Sequence, residues 1–215
     1  MTQPRLAGRR ILVVGAGTQR SDDPDSPVGN GRAISVLAAR EGAAVVCADL
    51  DEAAARETAE WIAGEGGTAE VMTADVADEG QCVGLVSAAS SQPLHGVVLN
   101  VGIGRGIGLG GTSAADWDAT FAVNLRSHFL VAREALGHLP EGGSVVFISS
   151  VAGLRPGSRI PAYDASKAGL LGLCRHVALE GDRRASEPRS RSDAWGRRGR
   201  WRRRPCSCCP TTRPT

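Results

Sequence analysis

One tyrosine (Tyr163), one lysine (Lys167) and two methionines are all that this chain of 215 residues holds of those types. It also lacks any apolar run near the ~18 residues that a membrane-spanning helix needs, which speaks against an integral membrane protein. The basic start MTQPRLAGRR leads only into ILVV. That run is too short for the apolar core of a secretory signal, so a cytoplasmic setting is expected. There the six cysteines are expected to be thiols.

What is present is unevenly spread. The chain carries 25 basic and 23 acidic side chains. Residues 182–215 hold 11 arginines against Asp182, Glu187 and Asp193, a net of +8, which leaves −6 for residues 1–181. An acidic body with a basic tail is therefore expected, with the boundary at 181/182.

Within the body, short apolar runs alternate with helical patterns. Arg10–Gly15, Ala43–Leu50, Ala69–Asp75, Gly96–Val101 and Gly143–Ser149 read as strands. Gly31–Glu41, Glu52–Ala63, Asp78–Ser90, Ser113–Leu139 and Pro161–Glu180 read as helices, the fourth capped by Ser113 or Thr112. Gly102–Gly111, with six glycines, reads as loop. Fully apolar strands between helices predict an α/β fold, a doubly wound parallel sheet of about five strands covered on both faces.

Two constellations carry chemistry. The first strand runs into Gly15-Ala16-Gly17-Thr18, and a helix starts at Gly29-Asn30-Gly31. Such glycines let a pyrophosphate approach the backbone at a helix N-terminus, where free N–H groups favour anions. An ordinary βα turn is the plainer reading. Asp49 ends the second strand at the distance expected of a ribose-binding carboxylate, once the insertion between the glycine clusters is removed. A helix cap is its plainer role. An acid there repels a 2′-phosphate, which favours NAD over NADP.

Tyr163 and Lys167 lie one helical turn apart and share a face. A neighbouring ammonium stabilises a phenolate, which suits a tyrosine to acid–base work. A chance surface pair is the alternative, but the chain otherwise uses arginine alone. Ser150 follows the fifth strand, at the edge where open α/β sheets place ligands; it could bond a substrate carbonyl, with Ser149 as rival. Asn124 sits mid-helix, where asparagine is a poor helix former. It reads as a water-binding or helix-bending residue, or as a buried, satisfied amide.

In this order and spacing, VVGAGT with GNGRA, ADLD, Ala74-Asp75-Val76, LNVG, AVNL, ISSVAGL and AYDASKAGL resemble the short-chain dehydrogenase/reductases over residues 8–181. The resemblance implies a Rossmann-type domain binding NAD(P), and an oxidoreductase that interconverts an alcohol and a carbonyl. By it, Tyr163 would move the proton. Lys167 would bind the nicotinamide ribose and assist Tyr163, Ser150 would orient the carbonyl, and Asn124 would hold a relay water. Gly15, Gly29 and Gly31 match the glycine motif and Asp49 the NAD-selecting acid. Asp75 and Val76 match adenine contacts, and Asn100 and Gly102 the motif after the fourth strand. A homo-oligomer is also implied. Three departures stand out: the insertion Gln19–Pro27 splits the glycine motif, LNVG keeps only part of Asn-Asn-Ala-Gly, and nothing after Glu180 reads as the family's later strands and substrate-covering helices. The fifth strand, apolar and uncharged in SVVFIS, would then form an open edge.

The tail shows no helical or strand period. It reads as a basic arm for nucleic acid, with Trp195 and Trp201 among arginines. Alternatively it holds a metal site from Cys206, Cys208 and Cys209, though their spacing is poor for one, and no metal is expected. The favoured reading is a shifted reading frame. Codons for Arg184–Pro188 can be written so that another frame gives Gly-Ile-Arg-Ala, which family members often carry here. The leading expectation is an NAD-dependent oxidoreductase of a small alcohol or carbonyl. Its rivals are a truncated remnant that at most binds nucleotide, and a basic-tailed nucleic-acid binder.

Overall fold

The structure, a computed structural model, describes residues 4–19, 26–155 and 157–186. Five strands form one parallel sheet: β1 Arg10–Val14, β2 Ala44–Asp49, β3 Thr68–Thr73, β4 Gly96–Leu99 and β5 Ser144–Phe147. Their order is β3-β2-β1-β4-β5. The chain winds outward from β1 in one direction, then returns to β4 on its other side. This reversal opens a crevice at the carboxyl ends of β1 and β4, where the two sets of loops diverge.

Alternation along each strand supplies both faces of the core. Leu12, Val14, Val46 and Ala48 pack with Cys82, Leu85 and Val86 of α3 (Glu79–Ala89) and with Leu130 and Val131 of α5 (Ser127–Ala135). Val13, Val45 and Cys47 face Val36 of α1 (Asn30–Arg40) and Ala55 and Ile62 of α2 (Glu52–Gly64). Each such buried valine or leucine contributes about 1.5–3 kcal/mol. Asp51 and Asp78 cap α2 and α3 by accepting from first-turn N–H groups.

Two helices differ from the sequence reading. The helix expected over Ser113–Leu139 begins as α4 (Ala114–Phe121), with Ser113 and Asp116 in a reciprocal capping box. It then widens into a π-turn at Ala122–Arg126, resumes as α5 and ends at Ala135. The last helix, α6, runs over Pro161–Ser186 and so passes both Glu180 and the expected 181/182 boundary. The rest of the expected tail, with Trp195, Trp201, Cys206, Cys208 and Cys209, lies outside the described residues. β5 forms one edge of the sheet, and Val146 is 46% exposed. Among the described residues, no helix is long and apolar enough to cross a membrane, and Cys47, Cys82 and Cys174 are free thiols.

Candidate active site at the carboxyl edge of the sheet

The turn after β1 is fixed by its neighbours. Gly15 takes φ 81°, a region that favours glycine. Its N–H and that of Ala16 both donate to the Ala48 carbonyl, at 2.8 and 3.0 Å. Asn100 Nδ2 donates to the Gly15 carbonyl at 2.8 Å, tying the end of β4 to the same turn. Helix α1 then comes in so close that a Cβ on Gly31 would lie 1.7 Å from the Gly15 oxygen. Its N-cap, Gly29, offers no side-chain acceptor, and its first turn holds no acid. The first-turn N–H groups therefore face the crevice without a side-chain partner at the cap, ready for an anion.

Asp49 stands at the end of β2 beside this turn. Its Oδ2 accepts from Gly17 N–H at 2.8 Å and its Oδ1 from Asp51 N–H at 3.2 Å. Gly17 itself packs on α2, where an added Cβ would meet the Ala54 methyl at 2.7 Å. The loop after β3 is tied to α3 and to the π-turn, as Asp75 N–H donates to Gln81 Oε1 at 2.8 Å and Arg126 donates to the Ala77 carbonyl at 3.1 Å. Asp75 Oδ1 accepts from Ala77 N–H at 2.9 Å, and the Val76 side chain is buried.

On the other side of the crevice, Lys167 is 3% exposed. Its Nζ donates to the Ile148 carbonyl at 2.9 Å and lies 5.7 Å from the Tyr163 ring centre. Gly102 leaves room for it, since a Cβ there would sit 3.2 Å from Nζ. Burial pushes the Lys167 ammonium below its ordinary range. Ser150 caps the 3-10 turn Val151–Gly153, accepting from Ala152 N–H at 3.1 Å. That turn packs on α6 where a Cβ on Gly153 would be 2.7 Å from the Lys167 carbonyl. Ser149 instead donates inward to the Lys167 carbonyl at 2.9 Å.

Asn124 lies inside the π-turn and is fully buried. Its Oδ1 accepts from Ile103 N–H at 2.7 Å, and its Nδ2 donates to the Ile103 carbonyl and to Ser166 Oγ, at 2.8 and 3.0 Å. The amide is thus the satisfied one, with both N–H groups engaged by protein, and the helix is distorted where asparagine sits. Any water held here would meet the backbone or the second lone pair of Oδ1.

A family model described as Enoyl-(Acyl carrier protein) reductase matches residues 27–185. The (3R)-3-hydroxyacyl-CoA dehydrogenase of Canis lupus familiaris is 38% identical over 189 residues, covering 82% of this chain and 69% of that protein. Its Homo sapiens counterpart is 38% identical over 191 residues, covering 83% and 69%. The chain belongs to the short-chain dehydrogenase/reductases. A short chain dehydrogenase from Mycobacterium smegmatis superposes with a TM-score of 0.75 at 29% identity, over 83% of this chain and 73% of that one.

Members of this family are oxidoreductases that act on CH–OH groups with a nicotinamide cofactor. The short-chain dehydrogenase described here brings Gly15, Gly17, Gly29, Gly31, Asp49, Asn100 and Gly102 to one edge with Ser150, Tyr163 and Lys167. Asp75 and Val76 follow the carboxyl end of β3, with Asp75 half-buried and the Val76 side chain buried. Three residues that hold the site carry no signal in the sequence, and a fourth, Ser149, reads there only as the rival of Ser150. Ser166 anchors Asn124, Thr58 donates from α2 to the Ala16 carbonyl at 3.0 Å, Ser149 ties β5 to α6, and His128 lies buried near Lys167. Ser166, Thr58 and His128 are polar residues inside helical patterns, where spacing carries no signal for them.

His128 makes a pH prediction. It is fully buried, and desolvation first, then the Lys167 charge, push it down to about 4. The unfolded chain takes up this proton near pH 6.5, while the folded chain does so only near 4. Between these values the unfolded state holds more protons, so stability falls as pH drops through that window. The full loss is about 3 kcal/mol. Urea unfolding of His128→Gln beside the parent should show a flatter pH dependence between pH 6.5 and 4. Parallel profiles would refute the assignment.

Proposed function

We propose that this chain binds NAD and interconverts a secondary alcohol and a carbonyl, with Tyr163 as the group that moves the proton. The observation that carries this reading is Lys167. The sole lysine of the chain is buried and has no carboxylate partner among the described residues. Such a charge is costly without a purpose. With one donor on Ile148, it keeps two for the hydroxyls of a ribose, and its charge lies beside the ring whose phenolate it would stabilise. When bound, the nicotinamide supplies or accepts the hydride. Tyr163 donates or accepts the proton at the substrate oxygen, while Ser150 Oγ donates a hydrogen bond to that oxygen. Gly102 keeps the approach to Lys167 open, and Asn124 fixes the loop following β4 through Ile103.

The named activity of the relatives suggests a hydroxyacyl thioester as first substrate. Mixing the protein with NAD and (3R)-3-hydroxyacyl-CoA, and following nicotinamide absorbance, tests the reading. Absence of NADH binding at millimolar concentration would overturn it.

The cofactor choice rests on Asp49. Its carboxylate meets the 2′-phosphate of NADP as a like charge, which is worth several kcal/mol. NADH is therefore expected to bind about 100-fold more tightly than NADPH. Asp49→Asn keeps an oxygen to accept from Gly17 N–H while removing the charge. It should narrow the gap to under about tenfold by fluorescence titration, mostly by improving NADPH. An unchanged ratio would reject Asp49 as the selector.

A further inference from the structure

The insertion raises a problem that the family pattern does not have. The nucleotide cradle needs the turn after β1 and the start of α1 side by side, yet Thr18 and Gly29 stand eleven positions apart. Closing a loop of that length costs entropy that a peptide bond between neighbours does not. Without a fastening, α1 would be free to drift from Gly15.

The structure assigns that fastening to Thr18. Its Oγ1 accepts from Gly29 N–H at 3.1 Å. The approach is tight: a Cβ on Gly29 would lie 3.0 Å from Thr18 Oγ1 and 3.1 Å from Thr18 Cα. The two ends are thus held almost within the span of consecutive residues. The bond also occupies the N–H of the N-cap residue. The N–H groups of Asn30, Gly31 and Arg32 are left at the head of α1, pointing to where a diphosphate sits.

A second contact set supports the same placement from below. Arg32 Nε donates to Thr58 Oγ1 at 3.0 Å, and Thr58 Oγ1 donates to the Ala16 carbonyl. Helix α1, helix α2 and the turn are so linked on the buried side. Thr18 is the only such link on the crevice side that spans the insertion among the described residues. It is a positioning residue: it touches no substrate atom and acts by holding the helix N-terminus in reach of the cofactor.

The inference rests on the NAD reading above, and the test separates the two. NADH affinity is measured by fluorescence titration for the parent, Thr18→Val and Thr18→Ser, each checked by thermal melting. The same pair, threonine and valine, is measured in a chain from which residues 19–28 are removed, so that a peptide bond joins Thr18 to Gly29. In the full chain, Thr18→Val should weaken NADH about five- to tenfold, and Thr18→Ser should stay within about twofold of the parent. In the shortened chain with threonine, affinity should equal or exceed the parent's, and the valine change should matter less than about twofold. Equal affinity of Thr18→Val and parent in the full chain would overturn the inference alone. So would an equal loss in both backgrounds, which means that the hydroxyl meets the nucleotide directly. A shortened chain that folds but binds much more weakly also overturns it. A parent that binds no NADH removes this inference and the cofactor reading together.

Discussion

Tyr163→Phe is expected to lower turnover about 10³-fold while leaving NADH affinity within about twofold. The ring stays, so its place beside Gly104 is kept, and only the hydroxyl is lost. Among the described residues the other groups at this edge are poorer substitutes, since the Lys167 ammonium is engaged by the Ile148 carbonyl. Ser150 Oγ is bonded only to Ala152 N–H among the described residues, and His128 is buried with its ring nitrogen on Ser127 at 3.1 Å. General acid–base catalysis is worth about 10²–10⁴-fold, and about 10³-fold equals about 4 kcal/mol of barrier. Lys167→Met should differ in kind, weakening both NADH binding and turnover, because the ammonium serves ribose and tyrosine alike. Steady-state kinetics with parallel titrations check both. A Tyr163→Phe variant that keeps most of its turnover would falsify the proton-transfer role.

The second large effect falls on Gly31. In Gly31→Ala the new methyl would lie 1.7 Å from the Gly15 oxygen and 2.8 Å from Asn100 Nδ2. Neither can yield cheaply, since the Gly15 turn is pinned by Ala48 and Asn100. Helix α1 must move away, which takes its first-turn N–H groups from the crevice. A loss of about 3 kcal/mol of stability is expected, at the upper end for overpacking, together with a fall in NADH affinity of at least about 100-fold. Gly84→Ala is the matched control. It lies within α3 with open space around it and no special φ, so alanine there should stabilise by about 0.5–1 kcal/mol. Chemical denaturation of the two variants should move midpoints in opposite directions. A Gly31→Ala protein as stable as its parent would refute the close approach.

Most of the scaffold was legible because burial dictates it. Strands covered on both faces must be apolar along their length, so RILVV and AVVCAD announce themselves. The cap Ser113 announces itself too, since few residue types satisfy first-turn N–H groups, whereas the cap of α2 is Asp51 rather than Asp49, for which a cap is the plainer reading from sequence. The strand ends were overrun by a residue or two, because apolar character continues into the turns at Gly15 and Val101. Asn124 showed that something unusual happens mid-helix, but its residue type alone does not separate a bound water from a widened turn. What decides it is Ile103, whose backbone comes within reach only after folding. The extent of α6 was hidden for the opposite reason: Asp182, Arg183 and Arg184 have no apolar period, yet the helix continues through them on its own backbone bonds. Thr18 was invisible as a fastening because its partner is a main-chain N–H beyond the insertion.

The π-turn at Ala122–Arg126 carries one residue more than a regular helix would, with the Ser127 N–H reaching back to the Ala122 carbonyl. Each residue turns an α-helix by about 100°. The surplus residue therefore sets the rotational phase between α4, whose Trp117 and Phe121 rings stack at 4.8 Å, and α5, whose face enters the core. Taking one residue out would yield a smoother helix and swing Asn124 away from Ile103 in the same stroke. Such widened turns occur often at functional sites, and this one serves to place the Asn124 amide. Sequence drift here is constrained in length before it is constrained in identity: substitutions can be absorbed, whereas a one-residue gap cannot.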